Sequence, residues 1–378
     1  MKNKIKTVVL YRVLQEWRRP IFERIASENN IDFHLIHGPD FINTKVVSSK
    51  KKVYFKKSDL FSFKIRKESK NGMIAMPLSP FLFFKLIIEN PDVVITEGAS
   101  NLFNAFIGWT YCKIFRKKYI WWSLGKLSNK EHSGFRKKID VIIQYIEKTS
   151  DAIISYSSSG KKYFSSIGIP EENIFVAVNV VDTDQKLADF ENLNKLKNIN
   201  SKHFNILFVG ALIVQKRIDV LLNGFSLAKE SFPNMTLIIV GDGPEMHNLK
   251  KLAKELQIQD IEFTGKVFDG VGKYFVKSDL FVLPGLGGLA VSEAMCYQLP
   301  VIASIGDGCE KDLIINGVNG IIDENLTSER LARHILDLLE QPEKLKQYQE
   351  NAQRQIINTY NVNTYLQEVL NAIYFVKS

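Results

Sequence analysis

Two short stretches carry residue types that could handle a phosphorylated ligand. The first, FVGALIVQKRIDVLLNGF, runs from a strand ending at Gly210 through a loop to Lys216 and Arg217, where a helix begins. Cations at a helix N-terminus oppose the helix dipole, which makes sense when an anion sits between them. Arginine would hold that anion bidentately and lysine as a point charge. The plain alternative is an exposed basic pair. The second stretch, SDLFVLPGLGGLAVSEAMCYQLPVIAS, spans Ser278 to Ser304. It reads as a buried strand, a Pro284–Gly288 loop and a helix that starts near Leu289 and Ala290 and carries Glu293. Glycine lets the backbone approach a phosphate at the carboxyl end of a strand, and the helix behind it offers unpaired N–H groups. On spacing alone, a phosphate cradle and a βα turn with glycines for packing are equally open.

Two more loops of the same kind follow strands in this half. LIIVGDGPE turns at Gly241, and IEFTGKV runs into Gly265, Lys266 and Val267. Four loops, around Gly210, Gly241, Gly265 and Gly285, should therefore crowd one edge of one sheet, a stronger signal than any single member. In the first half, Arg18, Arg19 and Pro20 open a helix, Glu97 and Gly98 end DVVITEG, and Ser123 to Lys126, with Gly125, follow IWW. Arg19 could hold an anion and Glu97 a sugar hydroxyl; a surface salt bridge is the alternative.

These residues need a scaffold, and the pattern supplies an α/β one. Apolar strands alternate with amphipathic helices in both halves, as parallel α/β folds require. Strands are expected at Lys6–Tyr11, Asp32–Ile36, Val93–Thr96, Tyr119–Trp122 and Ala152–Tyr156, with a helix between Pro80 and Glu89. In the second half they are expected at Asn205–Gly210, Thr236–Val240, Ile261–Thr264, Leu280–Leu283, Val301–Ser304 and Gly320–Ile322. The polar, turn-rich stretch Asn179–Asn200 reads as a linker, which gives domains at 1–185 and 186–360. Two such domains facing each other form a cleft, a common setting for small-ligand sites.

At 378 residues, 45% of them hydrophobic and 24% charged, the chain is globular and long enough for two domains. Its three cysteines, Cys112, Cys296 and Cys309, have neither metal nor disulfide spacing and suit a reducing cytoplasm. No apolar run reaches bilayer length, and Arg12 interrupts the N-terminus before a signal-peptide core can form. The net charge of +9 is uneven: residues 1–185 hold 30 Lys and Arg against 18 Asp and Glu, residues 186–378 hold 20 against 23. The excess peaks between Lys45 and Lys70, where ten basic residues interleave with Val53, Tyr54, Phe55, Phe61 and Phe63. That segment suits an anionic membrane surface or a polyanion, with a solvated strand-rich region as the alternative. No nucleic-acid-binding motif supports a DNA or RNA partner. Asp182-Thr183-Asp184 mimics a metal-binding DxD but lies in the expected linker, so no metal site is assigned. Of the six histidines only His132 falls near an edge loop. Hydrolase, kinase and dinucleotide fingerprints are absent.

The motifs FVGALIVQKR, LIIVGDGPE, IEFTGKV, SDLFVLPG…SEAM…LPVIAS and NGVNGII, in this order, resemble the retaining family-four glycosyltransferases (glycosyl transferases group 1) of the GT-B fold. The resemblance extends back through SDAIISYSSSGKKYFSSIGIPEENIFVAVNVVDT and forward to residues 361–378, which resemble a terminal helix crossing back to the first domain. The first 145 residues match only in general plan. The resemblance implies an N-terminal acceptor-binding domain and a C-terminal domain that binds a UDP-, GDP- or dTDP-sugar. By position, Lys216 would neutralise the diphosphate with Arg217 beside it, and the Gly287, Gly288 and Leu289 amides would cradle the distal phosphate. Glu293 would bond the ribose, Gly210 would line the site, and Lys266 and Val267 would line the base pocket; Arg19, Glu97 and Gly125 would face the acceptor.

No cofactor or metal is implied, because a lysine and a helix N-terminus replace the divalent ion. The implied reaction is retaining hexosyl transfer to a glycan or lipid-linked glycan of a capsule, O-antigen or similar surface polysaccharide. The place would be the cytoplasm, with peripheral contact at the inner face of the plasma membrane. Gly285 stands where the family has the first of two glutamates eight residues apart, and the loop is shorter. Ala211 replaces a frequent arginine, and Ser123 and Leu124 fall where a histidine is frequent. Gly285 and Ala211 argue for one rival, a degenerate, non-catalytic sugar-nucleotide-binding subunit, against which Lys216 and Glu293 stand. Two further rivals are a GT-B-fold epimerase, disfavoured because the loop carries no extra catalytic carboxylate cluster, and a polyanion-binding protein using Lys45–Lys70.

Overall fold

The computed structural model describes residues 4–40, 48–69, 72–126, 135–195 and 203–378. It divides into two compact units, residues 1–178 with 363–378, and residues 179–362. His132, Lys45 and Lys70 lie outside the described residues.

The first unit contains β1 (Ile5–Tyr11), α1 (Arg19–Ser27), β2 (Ile31–His37), β3 (Lys56–Asp59), β4 (Phe63–Ser69), β5 (Gly72–Leu78), α2 (Leu82–Glu89), β6 (Val93–Glu97), α3 (Leu102–Phe115), β7 (Lys118–Ser123), α4 (Phe135–Lys148), β8 (Ala152–Ser155), α5 (Ser158–Ser166) and β9 (Ile174–Val176). Seven strands form a parallel sheet in the order β3-β2-β1-β6-β7-β8-β9, and β4 and β5 form a separate antiparallel hairpin. A parallel sheet covered on both faces needs near-continuous apolar strands, and β1, β6, β7 and β8 are buried almost throughout. Alternate residues supply two cores. Val8, Leu10, Val94, Trp121 and Ile153 pack with residues of α2 to α5. On the opposite face Tyr11 and Trp122 meet Phe22 of α1, with ring centroids 5.3 and 6.4 Å away.

The second unit contains α6 (Thr183–Asn194), β10 (Phe204–Val209), α7 (Ile218–Ser231), β11 (Met235–Val240), α8 (Met246–Glu255), β12 (Ile261–Gly265), α9 (Gly272–Val276), β13 (Leu280–Leu283), α10 (Leu289–Cys296), β14 (Val301–Ala303), α11 (Glu310–Leu313), β15 (Gly320–Ile322), α12 (Ser328–Leu339) and α13 (Pro342–Asn358). Its parallel sheet runs β12-β11-β10-β13-β14-β15. Beginning from a central strand and adding neighbours first on one side and then on the other, it is doubly wound, with its switch point between β10 and β13. The final helix, α14 (Val362–Phe375), returns to the first unit, where Phe375 packs on Phe175 at 5.5 Å.

Three expectations are corrected. The stretch read as a linker holds α6, capped by Asp182, whose side chain accepts from Gln185 N; the DxD look-alike is thus a helix start. The strands β3, β4, β5 and β9 fall outside the expected set, and β3, with the sequence KKSD, has no apolar residue to announce it. The α6 segment belongs wholly to the second unit, which begins at Asn179.

Candidate active site

The second unit builds its carboxyl edge from backbone. Gly210 N donates to Val240 O at 2.9 Å and Gly241 N to Gly265 O at 3.0 Å, so three strand ends are tied in a row. Gly241 has φ +144°, and a β-carbon there would collide with the Gly210 carbonyl. The next loops interlock too: Leu212 N donates to Asp242 O at 3.1 Å, and Glu245 N to Leu212 O at 3.1 Å.

Beyond Leu212 a single helical turn, Val214–Lys216, precedes α7. The Pro284–Gly288 loop is fastened to it, because Leu286 N donates to Gln215 O at 3.0 Å. Gly285 lies flat on this turn: a β-carbon on it would strike Gln215 O and come within 2.9 Å of Lys216 Cα. That contact is the physical reason a glutamate cannot stand at 285 in this loop. The Lys216 ammonium reaches over Gly287, where Nζ occupies the space a β-carbon would need. Lys216 thus stands at the head of α10, beside the first-turn N–H groups that have no intrahelical acceptor. Arg217 adopts the left-handed conformation (φ +50°) and donates to Leu326 O at 3.0 Å, ahead of α12. The structure therefore brings Lys216 and the glycine loop together and engages Arg217 with the neighbouring loop.

Glu293, on the second turn of α10, pairs with Lys186 of α6 at 2.5 Å, both largely buried. Two further carboxylates close the cradle, Asp307 from the β14–α11 loop and Glu310 from the start of α11. Asp307 lies 2.9 Å from where a Gly288 β-carbon would be, and accepts from Cys309 N at 3.1 Å. Glu310 is fully buried and accepts from Gly308 N at 2.9 Å and Asp307 N at 3.3 Å. Burial first, and the negative charge of Asp307 second, push its pKa up. Lys266 is exposed and lies over the Phe268 ring at 4.5 Å, with Val267 half-buried beside it. The sequence reading missed Lys186, Asp307 and Glu310. The Asp-Gly pair at 307–308, just past a strand, was the available signal for the last two. Among the described residues no group of three His, Cys, Asp or Glu side chains is placed to hold a metal ion.

The profile of the glycosyl transferases group 1 family matches residues 189–355, the region that holds this edge. An uncharacterized glycosyltransferase of Haemophilus influenzae is 33% identical over 292 residues, covering 74% of this chain and 75% of its own length. The chain belongs to the group 1 glycosyltransferases. A 41.2 kDa protein from the cps region of Klebsiella pneumoniae is 27% identical over 367 residues, 92% of this chain and 94% of that protein. The fold is GT-B, as in HepE of Anabaena, solved with UDP. The two superpose with a TM-score of 0.72 over 97% of this chain and 98% of that one, at 16% identity.

The glycosyltransferase builds the same edge of its first unit from side chains. Arg18, just before α1, is fully buried among rings: its guanidinium carbon is 4.5 Å from the Trp17 centroid, 5.0 Å from Trp122, 5.4 Å from Tyr156 and 5.2 Å from Tyr365. It also donates to the Tyr365 hydroxyl of α14. Burial works against its charge, but the tyrosine oxygens of Tyr365, Tyr11 and Tyr156 outweigh it and hold the guanidinium charged. Its neighbour Arg19 is taken up by Glu23 at 2.6 Å and Glu16 at 3.3 Å, the surface-salt-bridge alternative. Glu97 accepts from Arg12 N at 2.8 Å and Ser100 Oγ at 2.7 Å. Gly125 (φ +76°) packs on the Tyr163 ring, whose hydroxyl donates to buried Glu147 at 2.9 Å. Burial pushes Glu147 up to about 7.

Proposed function

We propose that this glycosyltransferase transfers a hexosyl group with retention, without a metal ion, from a nucleotide-diphospho-sugar to a glycan or lipid-linked glycan of a surface polysaccharide. The observation that carries the reading is the Lys216 ammonium lying over Gly287 at the head of α10. A fixed cation and a helix N-terminus are aimed where a leaving diphosphate gathers charge, in place of a divalent ion. The Gly287, Gly288 and Leu289 amides hold the distal phosphate, and Glu293 bonds the ribose, its carboxylate oriented by Lys186. Lys266 and Val267 line the base pocket. Gly285 offers no carboxylate to the sugar; Asp307, beside Gly288, takes that task.

In the reaction the anomeric C–O bond to phosphate breaks while the acceptor oxygen closes on the same face. The departing phosphate oxygen takes the acceptor's proton, so no protein base is required. Support for the acceptor class comes from relatives: the Klebsiella protein of the cps region, and the alpha-monoglucosyldiacylglycerol synthase of Acholeplasma laidlawii, 27% identical over 233 residues. In the first unit Glu97 and Gly125 remain the acceptor-side residues of this reading, whereas Arg19 is held in its own ion pairs. Exposed Lys50, Lys52 and Lys57, with Tyr54 and Phe61, are the part of the basic segment available to an anionic membrane at the cytoplasmic face, whereas Lys51 pairs with Glu16 at 3.0 Å and Lys56 with Glu89 at 2.5 Å.

Thermal unfolding with UDP, GDP and dTDP tests the donor site, since a ligand of the native state raises its stability by mass action. One of the three should raise the melting temperature, and proton NMR of the product should show the donor's anomeric configuration, with turnover unaffected by EDTA. An inverted product, or activity abolished by EDTA and restored by magnesium, would contradict the mechanism.

A further inference from the structure

Donor chemistry accounts for the edge loops of the second unit but not for the outer surface of the first. Helices α2, α3 and α4 cover one face of the seven-stranded sheet, and Leu82, Leu86, Ala105, Tyr111 and Ile146 on their inner sides join the core. The outward side of such helices is normally polar. Here it carries Phe84, Ile88, Phe106, Val141, Ile142 and Tyr145, with Ile88 77% and Val141 63% exposed. Ring contacts tie the three helices together beside these residues. Trp109 links Phe106 at 5.9 Å to Tyr145 at 5.8 Å, joining α3 to α4, and Phe83 meets Phe115 at 6.3 Å, joining α2 to α3. A connected apolar surface of this kind on a folded protein marks an interaction site.

Charge says what it meets. On α4 the apolar residues lie between exposed Lys137 and Lys138 at one end and exposed Lys148 at the other; exposed Lys113 and Arg116 end α3. The carboxylates of these helices offset them only in part: Glu89 is held by Lys56 at 2.5 Å and Lys85 at 3.0 Å and Glu147 is buried, which leaves half-buried Asp140 against five cations. An apolar centre with a cationic rim is not complementary to itself, since a second copy would bring lysines against lysines. It is complementary to an anionic leaflet, where apolar side chains enter the headgroup–acyl boundary and lysines meet phosphates.

We propose that the outer face of α2, α3 and α4 docks on an anionic lipid bilayer. This surface is separate from the Lys45–Lys70 segment and independent of the donor reading.

Flotation of the full chain with vesicles decides it, using phosphatidylcholine alone or with about 30 mol% phosphatidylglycerol. Wild type should float with the anionic vesicles, and brominated lipid should quench its tryptophan fluorescence through Trp109. The double variants Val141→Glu with Ile142→Glu, and Lys137→Glu with Lys138→Glu, should each lose about tenfold or more in vesicle affinity. Lys51→Glu with Lys52→Glu, in the separate basic segment, should lower it less than either α4 variant. All replaced residues are exposed, and a circular-dichroism spectrum and melting temperature matching wild type would show that the variants are folded, whatever the donor site binds. Absence of wild-type binding, loss only in the Lys51 and Lys52 variant, or a dimer seen by light scattering that the α4 variants dissociate would overturn the proposal.

Discussion

The two units share an architecture and differ in what fills the carboxyl edge of their sheets. In the second, the edge is backbone: Gly210, Gly241, Gly265 and Gly285 let strand ends and loops touch, leaving Lys216 as the cation over the Gly287 loop. In the first, the edge is side chains: a buried arginine in a cage of tyrosine and tryptophan rings drawn from β1, the β1–α1 loop, β7, the β8–α5 loop and α14. A backbone-lined edge suits a ligand part that never changes, such as a diphosphate. A side-chain-lined edge can be rewritten one residue at a time. The group 1 profile matches in the second unit and stops at residue 355, consistent with that difference.

Substitutions can break this contrast. The largest effect is expected at Gly241→Ala, where the new β-carbon meets the Gly210 backbone. Urea unfolding should show a loss of about 3–5 kcal/mol or failure to fold. Gly168→Ala in the first unit, also at positive φ but with nothing within 4 Å, should cost only about 1 kcal/mol. Next, Arg18→Ala empties the aromatic cage and strands tyrosine hydroxyls, costing about 3 kcal/mol; Tyr365→Phe should cost about 1–2 kcal/mol.

Glu147 gives a pH signature confined to the first unit. Its folded pKa, about 7, lies above the unfolded value, so the native state binds the extra proton between them. Its neutral form favours the fold, and this contribution is fully present in acid and lost as pH rises toward and through about 7, by up to roughly 3 kcal/mol. Denaturation of Glu147→Gln should be correspondingly flatter with pH; a profile identical to wild type would remove Glu147 from the account. The smallest effect belongs to Lys186→Ala. Loosening Glu293 should raise the donor KM roughly two- to fivefold with kcat little changed.

Much of the second unit was legible because its determinants are local. β10 and β11 are apolar runs leading into glycine, β13 leads into Pro284-Gly285, and Lys216 sits at a fixed offset after the first of them. The Lys216–Gly287 meeting follows once β10 and β13 pair. The α6 helix was obscured because its inward stripe is thin: Leu187, Phe190 and Leu193 recur every third residue amid polar neighbours. Asp182 was the usable start signal. β3, with the sequence KKSD, is an edge strand with nothing apolar to reveal it. Nothing local separates Arg18 from Arg19. One is buried and the other paired on the surface because topology brings residues 11, 156 and 365 to the first, while the second meets Glu16 and Glu23, three and four residues away in sequence. Lys186 and Glu293 met for the same reason, across more than a hundred residues.

The central claim is that Lys216, held over the Gly287 loop, neutralises the leaving diphosphate. Steady-state transfer by Lys216→Ala, beside its melting temperature and nucleotide affinity, tests it most directly. The account predicts a fall in kcat of about a hundred- to a thousandfold with an unchanged melting temperature. Arg217→Ala, whose guanidinium is bonded to the Leu326 carbonyl, should lose far less. Turnover by Lys216→Ala close to that of wild type would contradict the account.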